Sequence, residues 1–198
     1  MNLEKILEKH EMWLKGKKGG ECANLSCADL RYDDLSHMDL SHADLSHANL
    51  SCADLRYTNL SHVNLKNTNL TGANLIGTNL KDVKTNMYTM GYHLACPEEG
   101  SFVGYKKANE HLVKLLILED AKRSSATTLK CRCSKARVLD IENIKTGLKV
   151  QEVNSSYDPN FIYRVGEIVT VDNFDEDRWN ECSTGIHFFM NKDNAINY

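Results

Sequence analysis

Leucine recurs at every fifth position through much of the first half of the chain, and this period constrains the fold more than any other feature. Twelve leucines stand in register from Leu25 to Leu80. The residue before each leucine is Asp or Asn, and the residue two before is mostly small. A period of five matches neither the turn of an α-helix nor the alternation of a β-strand. Neither standard element therefore explains residues 23–82.

A chain that turns a corner every five residues does explain the pattern. Each leucine and each small residue then points inward, and four such sides close into a square coil of twenty residues. Asp or Asn suits the bend, because its short side chain can bond to nearby backbone. Residues twenty apart then stack above one another. Two ladders follow from this stacking: His42, His62 and Asp82, and Cys27, His47 and Asn67.

These units resemble the pentapeptide-repeat family, whose pattern is A-[DN]-L-x-x. Examples are Ala23-Asn24-Leu25-Ser26-Cys27 and Ala43-Asp44-Leu45-Ser46-His47. The resemblance covers residues 23–82 and implies a right-handed quadrilateral β-helix of about three coils. With strand spacing between coils, such a column would be only about 14 Å tall. It would therefore cover less than half of the ~34 Å turn of a DNA duplex.

The N-terminal segment predicts an amphipathic helix that caps the open end of this column. Apolar residues and a histidine fall on one helical face between residues 2 and 15, with Glu and Lys opposite. Gly16 and Gly19-Gly20 then stop the helix. Because the end of a solenoid must be covered, we interpret this helix as a cap.

The five-residue register fails after Lys81, and the second half predicts a small α+β domain. Strand-like patterns occupy residues 101–108, 112–118, 136–144, 161–171 and 185–190, and residues 192–198 form a final helical turn. The expected fold class is thus mainly β. We expect a capping helix over residues 1–20, the β-helix over 21–87, a linker over 88–99 and the α+β domain over 100–198.

The second half also resembles an uncharacterised domain found beside pentapeptide repeats in bacterial and phage proteins. Residues 102–108, 118–128 and 182–189 carry this resemblance. The ending, with Cys-Ser-x-Gly-Ile-His-Phe, is also similar to segments of phage proteins of the rapid-lysis type. The resemblance implies a phage or mobile-element origin and brings no established activity with it.

The cysteine content and the length of the apolar stretches indicate the cellular compartment of the protein. Seven cysteines at irregular spacing, in a chain long enough to bury its own core, argue against a disulfide framework and indicate a reducing cytoplasm. The longest apolar stretches fall far short of the ~20 residues of a membrane span. The first residues lack the pattern of a secretory signal. We therefore expect a cytoplasmic protein that does not contact the membrane.

Two neighbouring blocks of opposite charge follow the repeats. Residues 106–137 hold nine Lys or Arg against three acidic residues, a balance of +6. Residues 138–198 hold eleven Asp or Glu against five Lys or Arg, a balance of −6. Such blocks usually satisfy one another within one fold. Because no aromatic residue interrupts the basic block, direct nucleic-acid binding is disfavoured.

Neither metal binding nor catalysis is expected. The exposed histidines of the repeats lack the convergent ligand shell of a metal site. Cys131, Cys133, Cys182 and His187 offer three sulfurs and an imidazole, without the Cys-x2-Cys pairs typical of zinc. Cys182 and His187 have no assured common side on which to act as nucleophile and base. We therefore predict no catalytic residue, no metal and no cofactor.

The sequence favours a non-enzymatic interaction protein that presents a rigid repeat surface. In its sharper form, this surface binds and inhibits or modulates a host nucleic-acid-handling protein, such as a topoisomerase or a defence nuclease, by DNA mimicry. The contact would be made by aspartates of the early coils: Asp29, Asp34, Asp39, Asp44 and Asp54. An extended, duplex-like shape would require a homodimer.

The alternative is that the C-terminal domain binds or sequesters a small anion such as a nucleotide, with the repeats as an assembly platform. Cationic and hydroxyl side chains of the basic block would then hold the ligand. The candidates are Lys122, Arg123, Ser124 and Lys130. Both functions remain open on the sequence alone.

Overall fold

The computed structural model describes residues 2–198, which divide into two compact units. The first unit ends at His93 and the second begins at Leu94. Both units are built mainly from β-bridges and short strands, and the described residues contain two helices. Neither helix is long and apolar enough to cross a membrane.

The first unit is a column of five-residue sides in which residues twenty apart form parallel bridges. These bridges run from Asn24 with Asp44 to Asn64 with Lys84. The backbone N–H of each leucine from Leu25 to Leu70 donates to a carbonyl of the following coil, as from Leu25 to Asp44 at 2.8 Å. Eleven of the twelve repeat leucines are at most 1% exposed. The period of five therefore reflects a leucine-filled interior.

Each corner of the column is made by two devices. The Asp or Asn before the leucine accepts a hydrogen bond from the backbone N–H two residues on, as Asp34 does from Ser36 at 3.0 Å. The fifth residue of the unit then adopts the left-handed region, with φ between 56° and 67° at its non-glycine positions. These positions are Cys27, Tyr32, His37, His42, His47, Cys52, Tyr57, His62, Asn67 and Asp82.

Threonine at the small inward position adds a further hydrogen bond. The Oγ1 atoms of Thr58, Thr68, Thr78 and Thr89 donate to leucine carbonyls 23 or 24 residues earlier, at 2.7–2.9 Å. Thr89 lies beyond the point where the sequence register fails. Asn69 still bridges Met90, so one extra residue is accommodated and the ladder continues to residue 90.

Helix α1 spans Leu3–Leu14 and packs against the beginning of the column. Asn2 caps its N-terminus through its side-chain oxygen. His10 is 1% exposed, and its Nδ1 accepts a hydrogen bond from the backbone N–H of Ala23 at 3.1 Å. The Trp13 ring lies edge-on to His42, with ring centroids 6.0 Å apart. The helix thus provides partners for the first coil.

We expect Gly20→Ala to destabilise this junction. A Cβ at Gly20 would lie 2.3 Å from the backbone nitrogen of Trp13, so the helix itself would have to move. Overpacking of this kind should lower the free energy of unfolding by about 2–3 kcal/mol, measurable by chemical denaturation. Gly16→Ala is the control, because a Cβ there meets no atom within 4 Å and carries only the strain of a positive φ. Equal losses in the two variants would contradict the close packing of Gly20.

The second unit consists of nine described strands and a short helix. The strands are β1 (Phe102–Ala108), β2 (His111–Ile117), β3 (Arg123–Ser125), β4 (Cys131–Cys133), β5 (Lys135–Asn143), β6 (Glu152–Asn154), β7 (Ile162–Arg164), β8 (Ile168–Thr170) and β9 (Ile186–Phe188), and helix α2 spans Lys192–Asn197. They form a four-stranded sheet β1-β2-β5-β8, a three-stranded sheet β3-β4-β9 and the pair β6-β7. All of these pairings are antiparallel.

One apolar cluster joins the three sheets. Val113, Val138 and Phe188 are among its fully buried members. The inward face of β1 lies close to this cluster, because a Cβ at Gly104 would come 2.5 Å from the Phe188 ring. The single strand predicted over residues 161–171 is wrong. It is divided into β7 and β8 by a turn at Gly166, whose φ is 89°.

Candidate functional site

The five aspartates predicted to contact a partner lie on all four sides of the column. Asp34 and Asp54 bridge each other and therefore share a side. Asp29, Asp39 and Asp44 bridge asparagines instead, and each lies on a side of its own. These five carboxylates therefore do not form one continuous acidic face.

Two of the five charges are also neutralised locally. Arg31 pairs with Asp29 at 2.7 Å, and Arg56 pairs with Asp54 at 2.5 Å. The hydrogen bond from each arginine lowers the pKa of its aspartate. Asp34 has no such arginine on its own unit and accepts instead from Ser36. The carboxylates thus first serve the corners of the column.

Exposed rings form short stacks along the corners. His42 and His62 lie face to face at 4.7 Å, and Asp82 lies 3.8 Å from His62. This confirms the first predicted ladder. His37 stacks on Tyr57 at 5.1 Å. In the second predicted ladder, Asn67 contacts His47 at 3.2 Å, and the backbone N–H of Cys27 donates to the carbonyl of Ser46, the residue before His47.

A cavity of about 660 Å³ lies in the second unit. Its walls come from β1, β9, the loops at residues 155–158 and 182–185, and the C-terminal Tyr198. Three lysines contribute to the lining: Lys106, Lys107 and Lys130. Five phenylalanine or tyrosine side chains accompany them: Tyr157, Phe161, Tyr163, Phe189 and Tyr198. This size and mixture are typical of small-molecule sites.

Lys106 lies on the inward face of β1, between Gly104 and Ala108. Its side chain is 7% exposed, and it has no hydrogen-bond or ion-pair partner among residues 2–198. Burial lowers the pKa of Lys106 to about 8. Lys106 was not among the residues predicted to hold an anion. Alternation along β1, which places a lysine at an inward position, was the available signal.

Lys130 is also buried, but it has partners. Its ammonium group lies 3.2 Å from the hydroxyl of Tyr198, 3.5 Å from the sulfur of Cys182 and 3.8 Å from a carboxylate oxygen of Glu181. Burial disfavours the charge, but the hydrogen bond with Tyr198 and the Glu181 carboxylate raise the pKa of Lys130 overall. Lys130 is therefore a fixed positive charge at the cavity wall.

His187 faces the cavity from β9, opposite in direction to its buried strand neighbours. Burial, followed by the charges of Lys106 and Lys130, lowers the pKa of His187 to about 4. Its Nε2 lies 3.3 Å from the backbone oxygen of Glu181. Among the described residues, no hydrogen bond joins it to Cys182. The ring is neutral at pH 7 and is not paired with a thiol.

Only one of the four residues predicted to hold an anion lines this cavity, namely Lys130. Lys122 forms an exposed ion pair with Glu176. Arg123 donates to five backbone carbonyl oxygens at 2.8–3.4 Å. The hydroxyl of Ser124 is buried and has no partner. The structure therefore does not bring these four side chains together around one ligand.

The cysteines of the second unit are divided between two environments. Cys131 and Cys133 are fully buried members of the apolar cluster, and burial raises the pKa of Cys133 to about 12. Cys182 is exposed beside Lys130. Within residues 2–198, no group of three or more His, Cys, Asp or Glu is placed to hold a metal ion.

The loop of residues 173–184 lies against β4, and its last residues line one side of the cavity. Arg132 points into this loop and is 1% exposed. Its guanidinium donates to the carbonyl oxygens of Asp175, Thr184 and Asp177 at 2.9–3.1 Å. It also lies over the ring of Phe174, 5.3 Å from the centroid. One side chain thus fixes a segment that has little regular structure of its own.

Comparison with known families gives two matches. The family described as "Family of unknown function (DUF5758)" matches residues 92–195, which is more than half of the chain. The description "Pentapeptide repeats" matches residues 23–56 and 48–84. The sequence resemblance stated for the repeats is thereby confirmed, as is a separate family over the second half. No curated protein matches the chain.

Among solved structures, three pentapeptide repeat proteins of cyanobacteria are similar. Rfr23 of Cyanothece 51142 is 34% identical over 35% of this chain and 50% of its own, with a TM-score of 0.31. HetL of Nostoc sp. PCC 7120, involved in heterocyst differentiation regulation, is 35% identical over 33% and 38%, with a TM-score of 0.22. The alr5209 protein of Nostoc is 28% identical over 44% and 82%, with a TM-score of 0.22. The present chain thus spans about half of the first protein.

Proposed function

Since the chain belongs to the DUF5758 family of unknown function and also carries pentapeptide repeats, we propose that it is a non-enzymatic interaction protein. Pentapeptide repeat proteins often mediate protein interactions. The column that would present the binding surface is about three coils of a right-handed quadrilateral β-helix. The partner is another protein, and the column holds the contacting side chains in fixed positions.

The observation that carries this proposal is the coincidence of exposed tyrosines with stacked aspartates on one part of the column. Asp34 and Asp54 share a side, and Tyr57 follows Asp54 at the next corner. Tyr57 is 56% exposed and Tyr32, at the preceding corner, is 76% exposed. Tyrosine supplies large contact area with few rotatable bonds and is enriched at energetically dominant interface positions. We call these four residues the tyrosine–aspartate side.

The more specific form of this proposal is inhibition of a host nucleic-acid-handling protein, such as a topoisomerase or a defence nuclease, by a protein of phage origin. The carboxylate of Asp34, which has no arginine on its own unit, would then replace a phosphate at the partner's surface, and Asp54, which is paired with Arg56, would contribute less. Full mimicry of a duplex has less support, because the five aspartates point to four sides and two are paired with arginine. A contact through one side is sufficient for binding.

The absence of a catalytic role is part of the proposal. His187 is neutral and directed at a backbone carbonyl, while Cys182 lies beside an ammonium group. A nucleophile needs a base within hydrogen-bond reach, and this arrangement does not supply one. We therefore assign no reaction to the chain.

Affinity capture with matched variants tests the interaction. The full tagged chain is used to capture protein from a nuclease-treated lysate, and the captured protein is then titrated. Tyr57→Ala and the double variant Asp34→Asn with Asp54→Asn should each weaken binding at least tenfold. Asparagine can still accept the corner hydrogen bond, so the double variant removes charge and preserves the turn.

Asp39→Asn is the control, because Asp39 lies on a different side of the column. It should bind like the native chain. A captured protein whose affinity is the same for all three variants would contradict the assignment of this side. Loss of binding in Asp39→Asn alone would do so as well, since the contact would then lie elsewhere on the column.

A further inference from the structure

We propose that the cavity of the second unit binds a small anion that carries an aromatic ring, of the class of nucleoside phosphates. This site is independent of the interaction surface proposed for the column. It also differs from the group of residues that the sequence suggested, because Lys106 takes the central place. The inference stands on the charge, the burial and the ring content of the cavity walls.

The charge of the cavity calls for an anion. Lys106 and Lys130 are 7% and 6% exposed, and both line the cavity. Lys130 has Glu181 as a carboxylate neighbour, whereas Lys106 has no acidic partner among residues 2–198. A buried ammonium group without a counterion is costly, and an anionic ligand would remove that cost. Lys107 and the carboxylate of Asp158 also line the cavity, so three lysines face two carboxylates, those of Asp158 and Glu181, and one net positive charge remains to be neutralised.

The walls also indicate what else the ligand carries. Phe161 and Phe189 are largely buried, while Tyr157 and Tyr198 are 80% and 60% exposed. Rings of this kind offer flat apolar surfaces against which a planar ring can pack. The volume of about 660 Å³ is within the range for ligands of nucleotide size. A bare inorganic anion would leave these surfaces unused.

Lys106 also predicts how binding depends on pH. The groups that bear on it are the thiol of Cys133 from β4 and the imidazole of His187 from β9. Cys133 has a pKa of about 12 and His187 of about 4, so both are neutral between pH 7 and pH 9. Lys106, with a pKa of about 8, loses its proton in this interval. Because the ammonium form binds the anion, affinity should fall as the pH rises.

The test uses the full chain, calorimetric titration and thermal unfolding. The probes are AMP, ADP, GMP and UMP, with adenosine as the ring without the anion and pyrophosphate as the anion without the ring. At least one nucleotide should raise the Tm by several degrees at saturating concentration. Adenosine and pyrophosphate should bind at least tenfold more weakly. If none of the nucleotides raises the Tm, or if pyrophosphate binds equally well, the proposal is overturned.

Two further measurements locate the site. Lys106→Met should weaken nucleotide binding at least tenfold, and Lys122→Met should leave it unchanged, because Lys122 is exposed and paired with Glu176. In the native chain, affinity should fall about tenfold between pH 7 and pH 9. Unchanged affinity in a folded Lys106→Met variant would overturn the assignment. Should that variant fail to fold, a flat pH profile of the native chain would have the same consequence.

Discussion

Replacing Arg132 by methionine is expected to lower the free energy of unfolding of the second unit by about 4 kcal/mol. The guanidinium group is 1% exposed and is the shared donor to three backbone carbonyls between residues 175 and 184. Each hydrogen bond from a charged group contributes about 1.5–3 kcal/mol, and the buried carbonyls would lose their donor. Methionine fills part of the volume but donates nothing. Chemical denaturation of the full chain measures the loss.

The same variant should release the loop before the rest of the unit unfolds. The segment between residues 173 and 184 has few backbone hydrogen bonds of its own, so limited proteolysis should cut it earlier in Arg132→Met. Arg164→Met is the matched control, because Arg164 is 45% exposed and pairs with carboxylates at the surface. If both variants unfold at the same denaturant concentration as the native chain, Arg132 does not hold the loop.

A loss of stability of similar size is expected when a leucine in the middle of the column is truncated. Leu50→Ala should lower the free energy of unfolding of the first unit by about 4 kcal/mol, near the upper part of the range for buried leucines. Leu50 is fully buried, with Leu30 and Leu70 on the same side of adjacent coils. The backbone around Leu50 is held by inter-coil hydrogen bonds. The surrounding column therefore cannot close over the space that the shorter alanine side chain would leave.

Leu80→Ala provides the comparison within the same series. Leu80 has the same place in its unit but is only half-buried. Leu80→Ala should therefore lower the free energy of unfolding by about half as much as Leu50→Ala. Amide hydrogen exchange then reports where protection is lost, since each coil contacts only its neighbours. Equal losses at the two positions would mean that the interior is not tightly packed at the centre.

The column was predictable because one residue type repeats without interruption. Leucine at every fifth position left only a cornered coil as an explanation, and the ladder of His42 and His62 follows from the same arithmetic. The extension to Met90 was not predictable in this way. One inserted residue after Lys84 breaks the sequence register, although Thr89 still donates to a leucine carbonyl of the previous coil.

The second unit was harder to predict for two physical reasons. Strands β3, β4 and β6 are three residues long, so they are too short to show an alternation. The basic block was interpreted as a possible anion site, but the sequence does not show which charges are used internally. Arg123 and Arg132 bind backbone carbonyls, whereas the buried Lys106 has no side-chain partner among residues 2–198. That distinction depends on contacts distant in the chain.

The left-handed corner residues have a consequence for the evolution of this protein's sequence. Their backbone is fixed, but their side chains are exposed at every such position except Asn67. Cysteine, tyrosine, histidine and aspartate all occupy this position here, so the corner tolerates varied chemistry. Stability is encoded by the inward leucines, and the chemistry displayed outside is encoded separately. A new binding specificity can therefore arise by substitutions at the corners, while the scaffold that displays them is kept.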